Sequence, residues 1–149
     1  MTSFTRTITI DAPTERVWTI LADVGTIAEW NPGLTSSKLT SDEPTGPNAS
    51  RHCDLKGGKY VEERVSEYEE GKLLTMEIYE SNLPVLDSIA VRFQLESQEG
   101  TTTVNCSPNY TLKYGPLGTL ADRLFIRRTY EKGMDGLLAG LKRHVENGG

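Results

Sequence analysis

The feature that most constrains the fold is a long amphipathic run in the last third of the chain. Apolar residues recur there at steps of three, four or ten, so a period of 3.6 places them on one side of a helix. They are Leu117, Leu120, Leu124, Met134, Leu138, Leu141 and Val145. Gly115, Pro116 and Gly118 break the chain before this run, which extends to about Glu146. A helix of roughly 30 residues would be about 45 Å long, so we expect it to lie along a whole sheet.

One charged position interrupts the apolar stripe. Helical phase puts Arg127 in the middle of that face, with Glu131 one turn later beside it. The favoured interpretation is an ion pair between the two at the edge of the stripe, with both charged ends reaching water. The alternative is that the helix covers a cavity and that Arg127 points into it, because a charge facing an interior needs a partner or a ligand. Arg127→Leu should then change ligand affinity more than stability.

Length and charge bound the class of protein. With 149 residues, the chain is predicted to be one domain, 1–149, that is large enough for a real core. Its net charge of -5 argues against nonspecific binding to nucleic acid or to an anionic membrane. Neither a secretory signal nor a transmembrane stretch is visible, so we expect a cytoplasmic protein without integral membrane association. A homodimer is left open.

No metal or cofactor is expected from the motifs. Cys53 and Cys106 are too few and too far apart for a zinc motif, and free buried thiols are the favoured interpretation. Phosphate loops, dinucleotide fingerprints and nucleophile elbows are absent from the sequence. The acidic pair Glu62-Glu63 lies on a predicted strand, where neighbours point to opposite faces, and a solvated face is expected for it. His52 is expected on the surface rather than in a pocket.

The order of predicted elements defines the fold class. Ser3 to Ile10 alternates like a half-buried strand, Asp11-Ala12-Pro13 starts a helix that ends at Gly25, and Thr26 to Trp30 forms a second short helix. Six strands follow: Leu34 to Thr40, Ala49 to Leu55, Lys59 to Glu69, Lys72 to Glu80, Ser88 to Ser97 and Thr101 to Tyr114. Consecutive strands with short turns predict an antiparallel sheet, and helices confined to the two ends of the chain predict an α+β fold. Pro108 should lie at an edge or a bulge, because it cannot donate to a ladder.

Apolar rows on these strands supply candidate ligand contacts. The clearest row is Ile89, Val91, Phe93 and Leu95, and the strand before it offers Leu74, Met76 and Ile78. Packing in the core is the favoured role of such rows, but some could line a cavity in which tyrosine hydroxyls orient an apolar ligand. The candidate ligand-binding residues are Trp30, Met76, Ile78, Val91, Phe93, Tyr110, Leu112, Leu120, Leu124, Arg127 and Glu131.

Several stretches resemble one known superfamily over essentially the whole chain. They are Ile10-Asp11-Ala12-Pro13-Thr14-Glu15-Arg16-Val17-Trp18, Leu21-Ala22-Asp23, Trp30-Asn31-Pro32-Gly33, Tyr114-Gly115-Pro116-Leu117-Gly118, Asp122-Arg123-Leu124 and Arg127-Arg128. Together they are similar to the polyketide cyclase/dehydrase branch of the START-like superfamily. This resemblance implies the helix-grip fold: a curved antiparallel sheet of about seven strands around the C-terminal helix, with an apolar cavity between them.

Three functions are compatible with these observations. The first is binding or transport of a small hydrophobic molecule such as a lipid, polyketide or isoprenoid, favoured by the apolar rows and by the lack of a recognisable catalytic set. The second is a cyclase or dehydratase that uses the same cavity, with Arg127, Glu131, Tyr110 or His52 polarising a carbonyl and moving a proton. The third is an interaction module. A fold shared by many functions does not decide among them.

Overall fold

The computed structural model describes residues 2–84, 86–113, 120 and 125–148. The N-terminal part contains β1 (Thr2–Ser3), β2 (Arg6–Ile10), α1 (Thr14–Ala22) and a 3₁₀ helix (Val24–Glu29). Pro13 precedes α1, where the N–H that it lacks would have no helical partner. The single strand predicted for Ser3 to Ile10 is wrong in one respect, because Phe4 and Thr5 interrupt it.

Six further strands and a long helix complete the fold. They are β3 (Leu34–Leu39), β4 (Ser50–Leu55), β5 (Tyr60–Glu69), β6 (Leu73–Ser81), β7 (Leu86–Gln98), β8 (Thr101–Leu112) and α2 (Arg127–Glu146). The strands form one antiparallel sheet of eight in the order β1, β8, β7, β6, β5, β4, β3, with β2 also paired to β8. The predicted α+β class and the predicted order of elements are confirmed.

The sheet curves around α2 with the help of irregular pairing in β5. Its register with β6 shifts between Glu62 and Glu63 and again between Val65 and Glu67. Such shifts bend a strand and increase its twist. Val61, Glu63 and Val65 are buried on the concave face of β5, so its inner row of side chains contains one charged residue.

Helix α2 lies on the concave face of the sheet. It covers 20 residues, which corresponds to about 30 Å at 1.5 Å per residue. Its buried residues include Leu137, Leu138, Leu141 and Val145, as the apolar stripe predicts. The predicted beginning of the helix near Leu117, and Leu124 with it, lie outside the described residues. No helix in the described ranges is long and apolar enough to cross a membrane.

Gly140 lets the end of the 3₁₀ helix approach α2 closely. A Cβ built on Gly140 would lie 2.0 Å from the carbonyl oxygen of Trp30 and 2.9 Å from Cδ of Pro32. Real atoms do not approach so closely, so only glycine permits this contact. The segment Trp30-Asn31-Pro32 is thereby fixed against the C-terminal half of α2.

Pro108 lies inside β8 rather than at an edge or a bulge. It pairs with Val91 of β7 in an unshifted register that runs from Ser88↔Thr111 to Gln98↔Thr101. The Pro108 carbonyl accepts a hydrogen bond from the Phe4 N–H at 3.4 Å, so its backbone faces the first strands. The predicted position is wrong. Pro108 lies opposite the interruption between β1 and β2, where no ladder hydrogen bond requires a backbone donor, so a residue without an N–H is tolerated inside β8.

Candidate functional site

A single row of residues crosses the concave face of the sheet. Register pairs Arg51 of β4 with Glu63, Glu63 with Ile78, Ile78 with Ile89 and Ile89 with Tyr110 of β8. Neighbouring strands lie about 4.8 Å apart, so adjacent members of this row are within side-chain contact distance. The row therefore joins a charged end to an aromatic end through two isoleucines.

Arg51 and Glu63 form an ion pair inside the protein. Arg51 is 4% exposed and Glu63 is 9% exposed. Nε of Arg51 donates to Oε1 of Glu63 at 3.0 Å, and Nη1 donates to the carbonyl of Val24 at 3.1 Å. Buried charges are found in proteins only when they are paired in this way.

A thiol that does not ionise near neutral pH lies beside the pair. The Cys53 thiol lies 3.6 Å from the same Glu63 oxygen. Burial, with the charge of Glu63 as a further cause, raises the pKa of the Cys53 thiol to about 12. Cys53 and Cys106 are both free and buried, as predicted. Neither is a thiolate nucleophile at neutral pH.

Two stacked tyrosines close the other end of the row. Tyr110 of β8 and Tyr130 of α2 have ring centroids 5.0 Å apart and planes within 10° of parallel. Burial, then the charge of Glu63, raises the pKa of the Tyr130 hydroxyl well above its ordinary value, so at neutral pH it is a neutral hydrogen-bond donor. The hydroxyl donates to no other residue in the described ranges. We call Arg51, Glu63, Ile78, Ile89, Tyr110 and Tyr130 the interior site.

Half-buried apolar side chains gather beside the interior site. Leu86 pairs with Leu112 next to the Ile89–Tyr110 pair, and Ile126 lies one helical turn before Tyr130. These side chains and Ile78 pack against the core but keep part of their surface exposed to solvent. The interior site therefore continues into an apolar, partly open region near the beginning of α2.

The structure places six of the predicted ligand contacts on the concave face. Ile78 and Tyr110 belong to the interior site, and Leu112 borders it. The other three, Met76, Val91 and Phe93, are buried in the core, at 1%, 8% and 3% exposed.

Trp30, another predicted contact, lies apart from the interior site. Trp30 is 5% exposed and lines a groove of about 380 Å³ beside the C-terminal end of α2. Its Nε1 has no hydrogen-bond partner among the described residues. Leu120 is 54% exposed. Leu124 is outside the described residues.

Arg127 and Glu131 take part in a surface network. Nε of Arg127 lies 3.6 Å from Glu131, and its guanidinium lies over the Phe4 ring at 5.9 Å. Arg6 of β2 contacts Glu131 at 3.2 Å and Asp135 at 2.6 Å. The Arg127 side chain is half exposed, which confirms the favoured interpretation of an ion pair with its charged ends in water. Contact of either residue with a ligand stays a prediction.

His52 faces away from the interior site, on the convex side of the sheet. Its ring bonds Glu62 through Nδ1 and Asp54 through Nε2, the latter at 2.8 Å, and stacks on Tyr60 with centroids 5.6 Å apart. Glu62 and Glu63 thus point to opposite faces as predicted. The expectation of a solvated face was wrong for Glu63, because the strand phase turns it toward Arg51. Among the described residues, no cluster of histidine, cysteine and acidic side chains could hold a metal ion.

Four members of the interior site are not among the predicted ligand contacts: Arg51, Glu63, Tyr130 and Ile89, although Ile89 belongs to an apolar row that the sequence shows. A signal for the first two existed in strand alternation, which puts Arg51 on the same face as Cys53, and Glu63 on the same face as Val61 and Val65. Their pairing depends on cross-strand register, which the sequence does not reveal locally.

The interior site has the parts of a small-molecule site. It joins a carboxylate and a guanidinium at one end to a phenol at the other across an apolar surface. Residues 1–146 match the model of the family described as polyketide cyclase/dehydrase and lipid transport. The chain belongs to this family. No curated protein matches the chain.

Solved structures with low sequence identity share the fold of this polyketide cyclase/dehydrase family member. The protein TTHA0849 from Thermus thermophilus has a TM-score of 0.82 at 18% identity, with 99% of each chain covered. The Zhui aromatase/cyclase from a Streptomyces species has a TM-score of 0.80 at 15% identity, covering 97% of this chain and 93% of that one. A START superfamily protein from Mycobacterium smegmatis has a TM-score of 0.78 at 14% identity, with 97% of each chain covered. The helix-grip fold implied by the sequence resemblance is confirmed.

Proposed function

We propose that this protein binds a small, largely apolar molecule with one polar end in the interior site, between the sheet and α2. The observation that carries the proposal is the Arg51–Glu63 ion pair in an otherwise apolar concave face. A buried ion pair seldom stabilises a fold more than apolar side chains of similar volume would. Its presence is therefore better explained by recognition of a ligand than by stability.

The hydrogen bonds of the pair suggest which ligand groups it would recognise. Oε1 of Glu63 already accepts from Arg51 and contacts Cys53, while no described residue donates to Oε2. Oε2 can therefore accept from a hydroxyl or an amine of the ligand. The Tyr130 hydroxyl, held neutral by its raised pKa, can donate to a carbonyl or a hydroxyl.

The apolar part of the ligand would lie against the predicted contacts near the row. Ile78, Tyr110 and Leu112 are the first of these, followed by Met76, Val91 and Phe93 if the core side chains rearrange. Ligand contact by Trp30, Leu120, Leu124, Arg127 and Glu131 remains a separate proposal, and Arg127→Leu tests it for the charged pair.

Catalysis of a cyclisation or dehydration in the same site is the second candidate. The favouring observation is that a carboxylate, Glu63, acts electrostatically on a neutral phenol, Tyr130, within one interior. In such a reaction Glu63 would take a proton from a carbon of the substrate, and the Tyr130 hydroxyl would stabilise the developing oxyanion by a hydrogen bond without transferring its proton. If the purified protein converts a bound molecule to a product that is found by mass spectrometry after extraction, and Tyr130→Phe does not, this candidate would be favoured.

The first test of the binding function compares native mass spectrometry of the freshly purified protein with denaturing extraction of the same sample. A near-stoichiometric apolar compound is the expected result. The affinity for a neutral apolar probe, 1-aminoanthracene, is then measured by fluorescence. We expect it to fall about tenfold in the double variant Arg51→Met/Glu63→Leu, since a hydrogen bond to a charged group contributes about 1.5 kcal/mol or more.

The matched control is the double variant Arg64→Met/Glu77→Leu. These residues also pair across neighbouring strands, with Arg64 Nε lying 3.7 Å from Glu77, but on the convex face. The control should leave probe affinity unchanged. Equal affinities in the two double variants would contradict recognition by the interior pair.

A further inference from the structure

Strands β6 and β7 separate before their hairpin closes. Their register runs from Leu73↔Gln94 to Ile78↔Ile89, and its continuation would pair Tyr79 with Ser88 and Ser81 with Leu86. The β6–β7 ladder ends at Ile78↔Ile89, although each strand stays paired on its other side, Ser81 with Val61 of β5 and Leu86 with Leu112 of β8. We call these separated ends, Tyr79–Ser81 of β6 and Leu86–Ser88 of β7, the fork.

Side-chain hydrogen bonds hold each arm of the fork to the strand on its outer side, β6 to β5 and β7 to β8. Oδ1 of Asn82, just beyond β6, accepts from the Tyr60 N–H at 2.8 Å, and its Nδ2 donates to the Gly58 carbonyl at 3.0 Å. On the other arm, the hydroxyls of Ser88 and Thr111 lie 2.7 Å apart. These bonds tie β6 toward β5 and β7 toward β8, so the separation is built into the sheet.

A cavity of about 310 Å³ occupies the fork. Its lining includes Ile78, Leu86 and Ile89, which pack on the concave side, and Tyr79 and Glu80, which are exposed. The cavity therefore extends from the exposed Tyr79 and Glu80 to side chains that pack on the concave side. Its volume is at the lower end of the range of small-molecule pockets, about 300 to 1,000 Å³.

We infer that the fork is the passage through which an apolar molecule reaches the interior site, an inference that rests on the proposed binding function. Ile78 at its inner end pairs with Glu63, and Ile89 pairs with Tyr110. A molecule that passes through the fork beside the Ile78–Ile89 pair therefore arrives near the polar groups of the interior site. No strand has to unpair for this movement, because the fork already lacks the ladder bonds that would block it.

Charged groups of both signs lie at the outer rim of the fork. Glu80 and Asp87 contribute two carboxylates, and Lys113 contributes one ammonium group. The guanidinium of Arg64 lies over the Tyr79 ring at 5.1 Å, so two cations face the two carboxylates and the rim does not favour either sign of charge. Tyr79, 45% exposed, supplies an aromatic surface at the same rim.

The experiment measures stopped-flow association and dissociation of 1-aminoanthracene in Ser88→Trp, which places a large side chain in the fork. We expect both rates to fall about tenfold, which corresponds to about 1.4 kcal/mol of barrier, while the dissociation constant stays within about twofold. A passage changes both rates together because it does not alter the bound state. Tyr79→Ala, which widens the rim without touching the core, should accelerate both rates.

The matched control is Ser97→Trp, on the same strand where β7 and β8 pair without a gap, as Ser97↔Thr102 shows. It should leave both rates unchanged. Unchanged rates in both Ser88→Trp and Tyr79→Ala, with normal affinity, would overturn the passage and leave the binding function standing. Failure of the unmodified protein to bind any probe, with no extracted ligand, would overturn the binding function and the passage with it.

Discussion

At the scale of single residues, the buried pair of Arg51 and Glu63 carries the largest energetic consequence. Removing the charge of one partner leaves the other buried without compensation, which costs about 3 to 5 kcal/mol. We therefore expect Glu63→Gln to lower the free energy of unfolding by about 3 kcal/mol. Denaturant unfolding measures the change. Glu77→Gln, which breaks only an exposed pair with Arg64, should cost less than about 1 kcal/mol, and equal losses in the two variants would refute the argument.

His52 gives the convex face a dependence on pH. Its hydrogen bond to Glu62, and next its bond to Asp54, raise the pKa of His52 above the ordinary value of 6.5. Because the folded pKa is the higher one, the stabilising contribution is fully present below 6.5 and is lost as pH rises through the raised folded value. We expect Glu62→Gln to lower the pKa of His52. An NMR titration in a His144→Gln background, which leaves one histidine, measures it; an unchanged pKa would exclude Glu62 as the main cause.

At the scale of elements, the contact between α2 and the segment after the 3₁₀ helix depends on one missing side chain. A Cβ at position 140 would overlap the Trp30 carbonyl, so Gly140→Ala forces the two elements apart. We expect a loss of about 1 to 3 kcal/mol, the usual range for overpacking. Gly133→Ala is the control on the same helix, because nothing lies within 4 Å of its new methyl.

The two alanine variants should have opposite signs. In an open helical position, alanine is favoured over glycine by about 0.5 to 1 kcal/mol, so Gly133→Ala should raise the melting temperature while Gly140→Ala lowers it. Thermal unfolding of the pair measures both. A shift in the same direction would show that helix propensity, and not the contact with Trp30, decides the result at Gly140.

The elements themselves were predictable because their signals are local. Alternating residues, Pro13 before α1 and turns such as Lys56-Gly57-Gly58 act over a few positions, and the predicted strands match the observed ones to within about two residues, the usual uncertainty of such boundaries. Pro108 was misplaced because its tolerance depends on an interruption in the first strand, about a hundred residues earlier in the chain.

At the scale of the whole molecule, the fold was accessible from sequence and the interior site was only partly so. The superfamily resemblance and the element order led to the same fold, and Ile78, Tyr110 and Leu112 were placed correctly on or beside the concave row. Arg51 and Glu63 escaped detection because a charged residue on a strand is normally solvated. The register between β4 and β5 brings the two charges opposite each other, and register is a property of the assembled sheet.

The fork also divides the molecule into two leaves. One leaf contains β3 to β6 with the 3₁₀ helix against β3 and β4, and the other contains β7, β8, β1 and β2 with α2 against β2 and β8. The leaves share a spine of six ladder pairs, from Leu73↔Gln94 to Ile78↔Ile89. The contact between Trp30 and Gly140 joins the two leaves at a second place. Because β6 and β7 are paired over only part of their length, we expect the two leaves to move apart at the fork while they stay joined at the Leu73–Gln94 end.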